Sequence, residues 1–390
     1  MQKRISSIAF NKHYVIALFL LISLITAVKQ YATDSYNNYK IYKYTFWHTV
    51  DESPLYDAYP LEYSDTNHYG PAFALVIAPF ALLPDAIGTS LWNICNTLIL
   101  CMGFYSLPLP LRTRSIIALL CAHEALTALL SFQFNVGLTG CILLCFSYAC
   151  KQKEVKSAFL IALGTTVKLY GVVGLAFFFF CKNKWAFILS GIVSLGVLFL
   201  FTVALSSVDF VIQSYSDWYV SLTTKNNDNT SLTSMQDMSI MGIARRVTQD
   251  RTIPNLPFLV GGIFLFTLPY FRLSQYTYLS YRLMLLCSVL IFTVIFSSGS
   301  ESPTYIIAFA GVAIWFMIQP SPKSKGIILL FLFAFILTSM SPSDLFPRFI
   351  RNTYIKPYSL KALPCVLIWF TIVYQMLTTN FKDSKLSEIE

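Results

Sequence analysis

The chain has 390 residues, of which 56% are hydrophobic and 12% charged, and its mean hydropathy is +0.61. Soluble domains carry about 25% charged residues, and one of this length lacks the interior to hide so much apolar surface. The composition excludes a soluble globular enzyme, a disordered chain and a secreted disulfide scaffold, and leaves a bilayer as the solvent. The net charge is +9, from 28 Lys+Arg against 19 Asp+Glu. The bases sit in short loops beside apolar runs, as the positive-inside rule expects, so no nucleic-acid partner is expected.

Lys3, Arg4 and Lys12 precede a first apolar run, Tyr14 to Val28. No clean small-residue cleavage site follows it, so it reads as an uncleaved first helix with its N-terminus in the cytoplasm. Residues 29–69 form a polar, tyrosine-rich segment with six acids (Asp34, Asp51, Glu52, Asp57, Glu62, Asp65) against Lys29, Lys40 and Lys43. An acidic loop after such a helix belongs on the outer face. Apolar runs follow at about 70–84, 86–107, 115–131, 134–150, 157–181, 184–206, 256–271, 280–298, 302–319, 325–340 and 359–379. A second long polar segment spans 207–255. Basic loops (Arg112 and Arg114, Lys151 to Lys156, Lys182 and Lys184, Lys323 and Lys325, Lys382 and Lys385) mark the inner face.

Two runs do not fit simple crossings. Residues 70–84 give about 22 Å of helix, short of the ~30 Å hydrocarbon core. The run 157–181 has basic loops at both ends and Lys168 in its middle. A helix that enters from the inside, breaks at Lys168-Leu169-Tyr170-Gly171 and returns puts both loops inside and Lys168 toward the outer half. The expected architecture is an all-α, polytopic bundle of 10–12 membrane segments, some broken or short. It forms a single integral membrane domain over 1–390, with extracytoplasmic loops at about 29–69 and 207–255.

Ionisable groups within apolar runs cost roughly 2.5–3.5 kcal/mol each on insertion, so they are the informative positions. Lys168 reads as a pathway or site residue, against snorkelling to an interface. His123-Glu124, inside Ile116 to Ser131, reads equally as a structural contact between helices or as part of a substrate site. Asp34 follows the first helix closely, and a carboxylate held there is placed to take a proton from a hydroxyl. Arg245-Arg246 suits a phosphate. Cysteines such as Cys95, Cys121 and Cys145 lie in apolar runs without CxxC spacing, and the four histidines form no metal motif. No metal and no cofactor are expected. No GxxxxGK loop is present, so the donor is not expected to be a nucleotide.

Five stretches together resemble a family. They are Thr33-Asp34-Ser35-Tyr36 with Ser53-Pro54-Leu55-Tyr56; His68-Tyr69-Gly70-Pro71 with Ala78-Pro79-Phe80 and Leu82-Leu83-Pro84; Gln133-Phe134-Asn135; Lys168-Leu169-Tyr170-Gly171; and Met238-Ser239-Ile240-Met241-Gly242 up to Arg245-Arg246. They are similar to motifs of the glycosyltransferase-C superfamily, and within it of glycosyltransferase family 87, the polyprenyl-phosphate-mannose-dependent alpha-mannosyltransferase-like membrane proteins. Phe132 stands where the family's Gly-Gln-x-Asn has glycine, and Gly171 where its Lys-x-Tyr-Pro has proline. The late stretch Ser298-Gly299-Ser300-Glu301-Ser302-Pro303-Thr304 has threonine where members carry histidine, leaving Glu301 as the candidate there.

The resemblance implies a hexosyltransferase, mannosyl among the possibilities, in the cytoplasmic (inner) membrane with its active site outside. The donor is a sugar on a polyprenyl phosphate, and the acceptor a glycan or glycolipid. Asp34 is the general base of an inverting transfer. Lys168, Arg245 and Arg246 hold the donor phosphate. Tyr36, His68, Tyr69, Gln133, Asn135, Tyr170, Glu124 and Glu301 are the sugar- or substrate-binding candidates. The competing readings are a lipid or polysaccharide transporter or flippase, and a polysaccharide polymerase or ligase.

Overall fold

The computed structural model describes residues 10–343 and 346–383. Lys3, Arg4 and Lys385, counted above among the basic flanks, lie outside them. The described residues are helical, with no strand among them. They group into two compact units: residues up to 116 with 126–224, and residues 117–125 with those from 225 onward.

The first unit begins with α1 (Lys12–Ala32), started by the Asn11 side chain, which accepts from the His13 amide at 2.9 Å. The polar segment after it is not a plain loop. It holds α2 (Asn37–Val50), whose Tyr39, Tyr42, Phe46 and Thr49 are buried at three- and four-residue spacing. Polar letters between them hide that stripe. Next come the short α3 (Phe73–Ala81), α4 (Asp85–Ser106), α5 (Leu111–Leu130), α6 (Asn135–Cys150), α7 (Glu154–Val167), α8 (Lys184–Val203) and α9 (Val208–Asn229). The middle of α5 belongs to the second unit. The polar segment 207–255 likewise contains α9 and α10 (Ile240–Thr248). Val211, Ser214 and Trp218 form the buried stripe of α9.

Between α7 and α8 the chain reverses. α7 stops at Lys168, whose backbone is extended (φ −149°, ψ 121°), and a 3₁₀ helix, Leu169–Phe180, returns. Gly171, Gly174, Phe177 and Phe180 are its buried residues, one every third position, which is the 3₁₀ repeat. At about 2.0 Å per residue its twelve residues span ~24 Å, enough to match the ~21 Å of the fourteen-residue α7. The arms touch at glycine: a Cβ on Gly171 would lie 2.1 Å from the Gly164 carbonyl carbon. At the open end Gln152 Nε2 donates to Phe180 O at 3.2 Å, and the Asn183 amide donates to Glu154 Oε1 at 3.0 Å.

The two basic loops therefore lie at one end of the unit and Lys168 at the other. Lys151 Nζ reaches Ser106 O at 3.4 Å, which brings the Arg112–Arg114 turn to the basic end, and Lys12 sits 5.3 Å from the Tyr105 ring there.

The second unit contains α10, α11 (Leu256–Thr267), α12 (Leu279–Ile295), α13 (Tyr305–Ile318), α14 (Lys325–Phe333), which continues as a π-helix to Met340, and α15 (Leu363–Thr378). α12 and α13 are buried nearly throughout, and Gly311 lets α13 approach the Cys287 carbonyl of α12. Trp369 Nε1 donates to Ser288 Oγ at 3.0 Å, and Trp315 Nε1 to Gln375 Oε1 at 3.0 Å, so the buried indoles are satisfied. Among the described residues five helices are long and apolar enough to cross a bilayer: α1, α4, α5, α8, and α15 with its preceding turn (Leu360–Thr378).

The hairpin yields a first prediction. Gly171→Val should cost about 1–3 kcal/mol or more, because the added carbons meet backbone rather than a movable side chain. Thermal unfolding of the purified protein in detergent checks it. Gly191→Ala, inside α8 where a Cβ meets nothing within 4 Å, should not lower the midpoint.

Candidate active site

At the tip of the hairpin, Lys168 Nζ donates to Asn135 Oδ1 at 2.9 Å, and Asn135 Nδ2 donates to Gln133 Oε1 at 2.5 Å. The ammonium stands 5.2 Å from the Tyr170 ring centroid and 5.6 Å from that of Tyr69. Both are cation–π distances. Tyr69 OH pairs with Tyr42 OH at 2.9 Å, and the Tyr69 amide donates to Asn67 Oδ1 at 2.9 Å. The Gly70 amide donates to Val167 O at 3.0 Å, and a Cβ on Gly70 would fall 2.0 Å from the Thr166 carbonyl oxygen. This close backbone approach seats the Asn67–Gly70 turn on the end of α7. Five sequence candidates (Tyr69, Gln133, Asn135, Lys168 and Tyr170) thus meet in one cluster. Tyr42 was missed because it lies within the segment read as a loop.

His68 points elsewhere in the unit. Its Nδ1 is 2.9 Å from Ser221 Oγ, and its carbonyl accepts from Trp218 Nε1 at 2.9 Å, which fastens α9 to this turn.

Two family positions that differ here have structural reasons. Phe132 has φ 52°, a left-handed conformation that favours glycine. It is held there by burial and by Trp92 Nε1 donating to its carbonyl at 2.8 Å. Gly171 sits where a side chain has no room, and its amide donates to Lys168 O at 3.0 Å, a bond proline cannot make.

Asp34 lies on the turn between α1 and α2, with φ 49°, a conformation Asp tolerates better than most residues. Its side chain is 76% exposed and pairs with Lys40 at 2.8 Å. The Lys40 ammonium also lies 4.6 Å from the Tyr36 ring centroid. Tyr36 OH donates to Asp85 Oδ2 at 3.3 Å, while Lys43 pairs with Asp85 Oδ1 at 2.7 Å. Burial first, then the Asp85 and Asp34 charges, push the Tyr36 phenol up to about 12, so it remains a proton donor at neutral pH. Asp85 has a visible sequence signal, an acid in the first turn of an apolar helix after Pro84.

The Asp34 turn and the Gln133 turn are tied together. Gln30 Nε2 donates to Ser35 O at 3.2 Å and to Leu130 O at 2.7 Å, and Asn38 Nδ2 donates to Ser131 O at 2.8 Å. Asp34 and the Lys168 cluster therefore lie at the same end of the first unit.

In the second unit Arg245 and Arg246 do not stand as a phosphate-binding pair would. They are 1% and 2% exposed. Arg245 pairs with Asp237 at 2.5 Å, donates through Nε to Ile253 O at 2.9 Å, and bonds Asn255 Oδ1. Arg246 donates to the carbonyls of Ser234, Gln236 and Asp237 at 2.8–2.9 Å. Arg246 holds the loop ahead of α10, satisfying carbonyls that no helix satisfies, and Arg245 ties Asp237 of that loop to Ile253 and Asn255 beyond the helix. Glu124 is fully buried and paired with Lys361 through both carboxylate oxygens, at 3.2 and 3.1 Å. Of its two readings the geometry is that of the contact between helices. Lys361 was missed because it sits at the edge of its run, where a lysine reads as interfacial. Glu301 forms a capping box with Thr304 and is half-buried.

The first unit is thus part of a polytopic helical membrane protein whose broken hairpin presents an ammonium among amides and phenols, a set suited to an anionic, hydroxyl-bearing ligand. The sequence profile of glycosyltransferase family 87 matches residues 67–298, and the chain belongs to that family; it is a membrane glycosyltransferase. The match takes in Tyr69, Gln133, Asn135, Lys168 and Tyr170, while Asp34 and Tyr36 precede it and Glu301 follows it. No curated protein matches the chain.

The arginine geometry is open to a direct check. Asp237→Ala leaves a buried guanidinium unpaired and should destabilise the protein by about 3–5 kcal/mol in thermal unfolding. If Arg245 instead served a donor phosphate, Arg245→Ala would raise the donor KM and leave the unfolding midpoint in place.

Proposed function

We propose that the protein transfers a hexose from a polyprenyl-phosphate carrier to a glycan or glycolipid hydroxyl on the extracytoplasmic face of the cell membrane. The observation that carries this reading is the Lys168 cluster, set at the end of the first unit away from its basic loops. Lys12, Arg112, Arg114, Lys151, Lys153, Lys156, Lys182 and Lys184 belong to the opposite end, which the positive-inside rule assigns to the cytoplasm. The acidic segment that carries Asp34 then faces outward, where nucleotide sugars are absent and lipid-linked sugars serve as donors.

In this reading the acceptor oxygen attacks the anomeric carbon as its proton passes to Asp34. The bond from that carbon to the phosphate oxygen breaks on the opposite face, and the electron pair leaves with the polyprenyl phosphate. The configuration inverts. The leaving group needs no proton if a cation meets its charge. Lys168 supplies that cation, aimed by Asn135, whose amide is aimed in turn by Gln133. Tyr69 and Tyr170 flank the ammonium and offer ring faces to a sugar. The side chains of Arg245, Arg246 and Glu124 are given no part in substrate binding, because each is committed to a buried partner.

Asp34→Asn should lower turnover by about 10²–10⁴-fold, the usual worth of a general base, with an unchanged unfolding midpoint. Transfer from a polyprenyl-phosphate hexose in detergent measures it, and near-normal turnover would remove Asp34 from the role. Lys168→Ala should raise the donor KM and slow the step about 10²–10³-fold. Its effect on the acceptor KM should be small. Because transfer needs no sealed membrane, activity in detergent also separates this reading from a flippase.

A further inference from the structure

Tyr69 flanks the Lys168 ammonium but is placed there from outside the hairpin. Three bonds that hold it come from residues 42–67. Its amide donates to Asn67 Oδ1 at 2.9 Å, its carbonyl accepts from Tyr56 OH at 2.9 Å, and its hydroxyl pairs with Tyr42 OH at 2.9 Å. The first two fix the backbone that carries the ring and leave the side-chain torsions open. The third fixes the far end of the ring, which stands 5.6 Å from the ammonium at its centroid.

Tyr42 is 2% exposed, too buried to meet a substrate itself. Its ring packs edge-on against Tyr69, Phe73 and Trp92, with centroids 4.8, 5.0 and 5.8 Å away. Packing on three rings needs no hydroxyl, and a buried hydroxyl left without a partner lowers stability. The hydroxyl of Tyr42 is directed to the Tyr69 hydroxyl, and so to the ring beside Lys168. We propose that Tyr42 is a positioning residue for sugar transfer: through the Tyr69 hydroxyl it sets the Tyr69 ring against the Lys168 ammonium for the incoming donor. That role rests on the transferase reading above, in which Lys168 meets the donor phosphate. It gives α2, the helix after the Asp34 turn, a part in holding the hairpin cluster, and every contact involved lies within the first unit.

Steady-state transfer from a polyprenyl-phosphate hexose in detergent tests it. Tyr42→Phe removes one hydroxyl and keeps the ring. It should raise the donor KM about tenfold, the worth of one hydrogen bond, and leave the acceptor KM in place. In a Tyr69→Phe background the same substitution should raise the donor KM no further, because the atom it acts through is gone. Tyr39→Phe removes a buried α2 hydroxyl that donates to Phe80 O at 2.9 Å instead, and should leave both constants parental. A parental donor KM in Tyr42→Phe, an equal effect in both backgrounds, or the same donor effect from Tyr39→Phe each overturns the proposal. Should Tyr42→Phe not fold, Tyr69→Phe removes the other half of the pair and decides the matter: its donor KM should rise, and a parental value overturns the proposal. Lys168→Ala, run alongside, keeps the two ideas apart. If it retains the parental donor KM and turnover, the Lys168 reading itself fails; if it loses them while Tyr42→Phe does not, only the role of Tyr42 falls.

Discussion

A polar group in apolar surroundings must find a partner within the protein, and that demand organises the described parts of this chain. The hairpin of the first unit is the clearest case. The helix that carries a lysine in the middle of its hydrophobic run ends there and turns back. The ammonium is left at the tip, beside an amide and two aromatic rings. The return as a 3₁₀ helix follows from the same economy of length: fewer residues cover the distance, and two glycines three residues apart, Gly171 and Gly174, let the arms touch. The feature that exposes the cation to chemistry is thus also the one that keeps the hairpin shut.

The same demand explains why the arginines and the second lysine ended differently from Lys168. A guanidinium has five donors in a fixed fork, which matches a loop full of unpaired carbonyls as well as it matches a phosphate. Arg246 takes three carbonyls within one loop, and Arg245 takes a carboxylate, a carbonyl and an amide. An arginine pair late in a polar segment is compatible with either use. Only the burial of that segment, a tertiary property, distinguishes them.

Much of the fold was legible in hydropathy alone, because a bilayer forces apolar residues into long runs whose edges are marked by charge. The runs at 86–107, 134–150 and 325–340 correspond to α4, α6, and α14 with its π-helical extension. The break at Lys168 was legible for the same reason. α2 and α9 were not, since each buries one narrow stripe among polar letters, and a stripe such as Tyr39, Tyr42, Phe46 and Thr49 disappears in a composition average. The 3₁₀ return has a signature, Gly171-Gly174-Phe177-Phe180, but at a period of three that searches for 3.6 or 2 pass over. Of the site, the Lys168 cluster could be read because its members occupy motifs in family order. Tyr42 could not, as it enters through the neighbourhood rather than through a motif, and the signal at Asp85 marks a helix start rather than a site. The family departures have local causes too: Phe132 occupies a left-handed turn by virtue of packing and one indole bond, and Gly171 donates a bond its counterpart proline lacks.

Access separates the carboxylates that remain. Glu124 and Asp237 are sealed, at 0% and 1% exposure, and each is matched to a buried cation. A proton from a substrate hydroxyl has no route to either. Asp34 is the reverse: its side chain is 76% exposed, its turn is bolted to the end of α5 by Gln30 and Asn38, and it pairs at the surface with Lys40 rather than with a buried partner. Asp85 lies between these extremes, shared by Lys43 and Tyr36. A general base must be held still and yet be reachable. Among these four carboxylates Asp34 best meets both conditions, and it does so at the end of the first unit that also holds the Lys168 cluster.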